Sequence, residues 1–82
     1  MRFTTEFFET LLGFGRTDQR RFVKALRLLD DDERHPSLRV HPLSGDLEGI
    51  WSASASDDLR IEFVEQDSGI RLLFRCSRHY AR

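Results

Sequence analysis

Apolar residues recur at helical spacing through the first third of the chain. Phe7, Phe8, Leu11 and Leu12 fall at i, i+1, i+4 and i+5, and Phe22, Val23, Leu26 and Leu29 keep the same period, so both stretches predict helices that lay one stripe on a core. Thr4 or Thr5 can cap the first helix, which Gly13 and Gly15 then stop; Thr17, with Asp18 in the first turn, offers the cap of a second helix reaching the acidic run Asp30 to Glu33. Ahead of them, "RFT" at residues 2 to 4 reads as a short edge strand.

Past His35-Pro36 the period becomes two. Trp51, Ala53 and Ala55 alternate with Ser52, Ser54 and Ser56; Leu59, Ile61 and Phe63 alternate with Arg60 and Glu62; Ile70, Leu72, Phe74 and Cys76 alternate with Arg71, Leu73, Arg75 and Ser77. These are three strands of a meander. A turn on Ser56-Asp57-Asp58 keeps Trp51, Ala53 and Ala55 on the face of Leu59, Ile61 and Phe63, and sets Ser52 and Ser54 beside Arg60. A second loop over "QDSG" (66 to 69) makes Glu65 face Ile70 and puts Arg60 directly opposite Arg75. The open face then carries Ser52, Ser54, Arg60, Glu62, Leu73, Arg75 and Ser77, and His79 joins it if the last strand runs on without a bulge. Between helices and meander, residues 34 to 51 read as an irregular connection, since Pro36 and Pro42 hold His35 and His41 away from helix and Gly45 and Gly49 allow turns.

At 82 residues the chain is expected to be one domain, residues 1 to 82, with no repeat or linker. An apolar fraction of 39% with seven Phe is enough for a compact core and 33% charged residues make the surface soluble, so disorder is not expected. A single cysteine, Cys76, excludes an internal disulfide and reads as a small buried hydrophobe; with no signal peptide or long apolar run, a cytoplasmic protein without membrane association is expected. The net charge of −1 gives no global pull toward nucleic acid, yet Ser68 to Arg82 holds four arginines and no acid.

Opposed cations on a sheet are unfavourable unless something negative separates them, so Arg60 and Arg75 mark either an anion site or a solvated face neutralised by Glu62 or Asp58. A loop histidine such as His41 can act as a base because its ordinary pKa lies near neutrality. His35, His41 and His79 with one cysteine match no zinc spacing, so no metal and no cofactor are expected. Trp51 is a core anchor by pattern, with base stacking as its alternative.

The blocks "HPSLR", "HPLSGDLEGIWS" and "DLRIEF", followed by a tail ending "CSRHY", resemble the RelE/YafQ/YoeB superfamily of toxins from bacterial type II toxin–antitoxin pairs, over nearly the whole chain. The resemblance implies an α+β, RelE-like βααβββ fold, with a helical hairpin packed on one face of a small, mostly antiparallel twisted sheet. It also implies a ribosome-dependent endoribonuclease that cuts mRNA and inhibits translation, with the ribosome, mRNA and a cognate antitoxin as partners. Carried over by position, His41 is the base, Arg60 the phosphate contact and His79 the acid. Arg39, Arg75, Arg78 and Tyr80 are further RNA or phosphate contacts, Tyr80 matching the terminal aromatic of the YoeB branch. The ParE branch inhibits DNA gyrase without cutting RNA, so gyrase inhibition and a catalytically silent antitoxin-binding module are the alternatives the same resemblance leaves.

Overall fold

The computed structural model describes residues 1–43 and 49–79; Tyr80 and the "SGDLE" part of the "HPLSGDLEGIWS" block lie outside them. The elements run β1 (Arg2–Phe3), α1 (Thr5–Leu12), α2 (Arg16–Asp31), a single 3-10 turn (Pro36–Leu38), β2 (His41–Pro42), β3 (Trp51–Ser54), β4 (Leu59–Glu65) and β5 (Arg71–Arg78). The sheet order is β1-β5-β4-β3-β2, antiparallel throughout except where β1 lies parallel to β5. Both helices cover one sheet face, α1 over β5 and α2 over β3 and β4. This is the α+β arrangement expected, with one addition: the connection expected to be irregular contributes the short edge strand β2, His41 lying opposite Ser52.

Local chemistry sets the helices. The Thr4 hydroxyl accepts from Phe7 N at 3.1 Å and starts α1. Helix α2 begins at Arg16 with Gly15 at the N-cap, ahead of the Thr17 cap expected, and the Gln19 amide donates to the Phe14 carbonyl at 2.7 Å. Phe7, Phe22, Leu29, Leu38, Leu59, Ile61, Phe63 and Leu73 are fully buried, with Ala25, Ala53 and Cys76 beside them. Trp51 packs against this core as expected. The apolar stripes are wider than the surface the sheet covers: Phe8, Leu12 and Val23, expected to be core, are exposed.

The first hairpin has the expected register, with Ser54 opposite Arg60 and Ser52 opposite Glu62. The second does not. Gln66 N donates to Ile70 O at 2.8 Å, which closes a three-residue loop over Asp67, Ser68 and Gly69 and pairs Glu65 with Arg71. Gly69, at φ +77, supplies the left-handed residue such a loop needs. Phe74 then bulges out of β5 between the pairs Phe63–Leu73 and Glu62–Arg75. Arg60 therefore faces Ser77, not Arg75, and Arg75 faces Glu62. Leu73, expected on the open face, is in the core, while Ile70, Leu72 and Phe74 are only half-buried.

Candidate active site

The sheet face away from the helices carries a row across four strands: His41 on β2, Ser52 on β3, Glu62 on β4 and Arg75 on β5. Two residues along, a second row holds Ser54, Arg60 and Ser77. His79 N donates to Asp58 O at 2.6 Å, so the ladder continues one step past β5 and the alternation sets His79 with Ser77 and Arg75. By strand spacing, Arg60 lies about 8 Å from His79 and about 12 Å from His41, backbone to backbone, nearly on the diagonal between them.

His41 is exposed, and its Nδ1 lies 2.7 Å from the Arg39 carbonyl. A carbonyl only accepts, so Nδ1 carries the proton and, in the neutral ring, Nε2 keeps its lone pair free. Arg39 is the one described residue other than glycine with positive φ, at 45°. That left-handed backbone, unfavourable for a side chain with a Cβ, turns the carbonyl toward the histidine.

The four predicted arginines separate into two groups. Glu62 grips Arg75 through two in-plane bonds, Nε to Oε2 and Nη2 to Oε1, each 2.9 Å. Burial alone would raise the Glu62 carboxyl. The Arg75 and Ser77 hydrogen bonds, with the charges of Arg75 and Arg60, outweigh it and hold the group below its ordinary value. Arg78 turns to the helix side, where it pairs with Asp58 and with Asp18 of α2, the latter at 2.5 Å, and lies over the Phe14 ring. The Ser56 hydroxyl and then Arg78 keep the Asp58 carboxyl low. Arg60 and Arg39 form no ion pair among the described residues. Arg39 lines a cleft of about 450 Å³ between α2, the 3-10 turn and the β3–β4 hairpin, together with Lys24, Ser54 and Asp57. The structure thus gathers His41, Arg60, Arg75 and His79 on one face, leaves the Arg39 side chain in the cleft beside α2 and turns Arg78 to the helix side.

No family model and no curated protein sequence matches the chain. Solved structures do. YafQ from E. coli strain BL21(DE3) superposes with a TM-score of 0.77 at 15% identity, covering 94% of this chain and 89% of that one. The fold is that of the YafQ and YoeB toxins. A YoeB/ParE toxin from Agrobacterium tumefaciens aligns with a TM-score of 0.72 and 18% identity over 96% of both chains. The YoeB–YefM complex from Staphylococcus aureus matches with a TM-score of 0.72 and 18% identity, over 96% of this chain and 94% of that one.

Two features were not legible in the sequence, one on this YafQ/YoeB-like sheet face and one on the helix side of the molecule. Ser52 is fully buried between His41 and Glu62, and its hydroxyl finds no partner among the described residues. Helix α2 presents Arg16, Arg20, Lys24 and Arg27 along one exposed strip, although the chain as a whole is slightly acidic. The i, i+4, i+8, i+11 spacing of these cations was the available signal. Among the described residues no three His, Cys, Asp or Glu side chains converge as metal ligands, and no helix is long and apolar enough to cross a membrane.

Proposed function

We propose that this chain is the toxin of a type II toxin–antitoxin pair and a ribosome-dependent mRNA endoribonuclease. The observation that carries the reading is the His41–Arg39 bond on the face that also bears Arg60 and His79. Held by Nδ1, the His41 ring offers Nε2 to the proton of a ribose 2′-OH, so that the oxygen attacks the adjacent phosphorus. Arg60, a cation flanked by Ser54 and Ser77 and by no opposed acid, stabilises the charge that builds on the phosphate oxygens. His79, as imidazolium, returns a proton to the departing 5′-oxygen.

Reach supports the assignment. Strand spacing puts the His41 and His79 backbones about 19 Å apart, and two rings leaning inward shorten that to about 10 Å. An in-line O–P–O arrangement with a hydrogen bond at each end spans about 9 Å. Fold likeness to YoeB in its complex with YefM, and to YafQ in its complex with DinJ, favours an antitoxin as the protein partner.

The test is induction of the wild type and of His41→Ala, Arg60→Ala and His79→Ala in a bacterial host, with mRNA 5′ ends mapped. In-frame cuts on translated messages that disappear in all three variants are expected. Growth arrest without cuts would replace the reading with a ParE-like action on gyrase, and absence of any phenotype would leave an antitoxin-binding module.

A further inference from the structure

The surroundings of Arg75 suit a task beside the phosphate contact expected of it. A guanidinium binds phosphate by an edge, through two N–H groups that point the same way. In Arg75 the edge made by Nε and Nη2 is already filled by the two oxygens of Glu62, each at 2.9 Å. The Glu62 side chain is only 8% exposed and its carboxyl lies below the ordinary range, so it stays ionised at neutral pH and holds that edge. One face of the guanidinium lies over the Phe74 ring, Cζ 5.8 Å from the centroid. The Arg75 side chain is nevertheless 41% exposed, so a ligand can reach it. Two in-plane bonds and an aromatic neighbour fix the orientation of a flat cation, which keeps its end edge, made by Nη1 and Nη2, and its plane for a ligand.

We propose that Arg75 is a platform on which a nucleobase of the RNA substrate stacks, beside the phosphate held by Arg60. The inference rests on the nuclease reading above and adds to it the group that senses the base. Bases stack on arginine planes as they do on aromatic rings, and a fixed plane gives up little freedom when it does so. Position agrees: Arg75 is one strand over from Arg60 and two residues along, about 8 Å by strand spacing, within reach of the base of the nucleotide whose phosphate Arg60 holds. The Phe74 bulge is what makes the arrangement. Without the extra residue Arg75 would not face Glu62, and the plane would have neither its clamp nor its backing ring. Stacking strength follows the size of the base, so the platform favours a purine at one position next to the cut.

Two readouts on the full chain test this. Arg75→Lys keeps the charge and the ion pair with Glu62 but has no plane. Mapped 5′ ends from cells making the wild type should show a purine bias at one nucleotide beside the cut, and Arg75→Lys should cut in frame with the bias gone. In titrations of short oligoribonucleotides carrying 2-aminopurine at each position in turn, the wild type should quench the emission at one of them. Arg75→Lys should not, and should bind about tenfold more weakly. Glu62→Gln, which loosens the plane without removing it, should fall between the two. A role in stability alone would move unfolding midpoints and leave both the bias and the quenching in place, which would overturn the platform, as would a wild type that quenches at no position. If the wild type makes no cuts, the nuclease reading falls, and the 2-aminopurine titration decides the platform on its own.

Discussion

The Glu62–Arg75 pair makes a quantitative prediction about stability. Removing one member of a fully buried ion pair costs about 3–5 kcal/mol, because the other charge is stranded away from water. Here Glu62 is 8% exposed and Arg75 41%, so solvent screens one end and the cost falls to about 1–2 kcal/mol. The two ends are unequal. Arg75→Met leaves a covered carboxylate with only Ser77 and the charge of Arg60 to support it, whereas Glu62→Gln keeps the shape and one acceptor for Arg75. Arg75→Met should therefore cost about 2 kcal/mol and Glu62→Gln about 1 kcal/mol, with the double variant costing less than the sum. For a domain this small the urea slope is about 1 kcal/mol per molar, so the midpoints move down by about 2 M and 1 M, read from the fluorescence of the single tryptophan, Trp51. The pH dependence has a fixed sign. The Glu62 carboxyl lies below its ordinary value in the folded chain, so the pair's contribution is complete above the unfolded value of about 4.3 and is lost as pH falls through the folded one. The gap between wild type and Glu62→Gln should hold at neutral pH and close in acid below that value. Midpoints for both single variants within about 0.3 M of the wild type at pH 7 would refute the clamp.

Two further expectations follow from neighbouring residues. Burial pushes the Cys76 thiol up to about 12, against the lowering effect of Thr10, and the side chain is covered, so a thiol reagent should label the chain at the rate of unfolding; rapid labelling in native buffer would contradict the core position. Arg78 ties α2 to the β3–β4 hairpin through Asp18 and Asp58, so Arg78→Ala should lower the urea midpoint while cleavage per folded molecule is kept; cleavage lost with the midpoint unchanged would return Arg78 to the RNA-binding face.

The two hairpins differ in how far their sequences specify register. In the first, only a loop over Ser56, Asp57 and Asp58 keeps Ala53 with Ile61 on the core side, and the structure has that pairing. In the second, apolar residues stand at both parities, Ile70 and Leu72 at one and Leu73 at the other, so alternation could not choose. The chain uses a loop one residue shorter and then inserts Phe74, two shifts that no periodicity displays. Each alone would send every following side chain to the opposite face. Together they restore the parity, so Arg75 and Ser77 remain on the face with Arg60, and the residues between the shifts are those whose side was misjudged, Leu73 pairing with Phe63 in the core and Leu72 with Val64 on the other face.

The same arithmetic decides what each arginine can do. A guanidinium's use depends on what stands across the strand from it, and that neighbour changes with register while the sequence does not. With Arg60 opposite Arg75, two cations would share one anion; with Arg60 between Ser54 and Ser77, a single cation is left without an opposing acid, and Arg75 is given one of its own. Glu62 was legible as a possible neutraliser of either arginine, but only the two-residue displacement assigns it to Arg75. The Arg39 turn shows the complementary limit. The blocks around His41 pointed to a base, yet the contact that fixes its protonated nitrogen comes from a backbone carbonyl two residues earlier, in a left-handed conformation that an arginine in the sequence gives no reason to expect. Residue types suggested the kind of chemistry proposed for this face; a bulge and a left-handed turn decide which nitrogens are free on it.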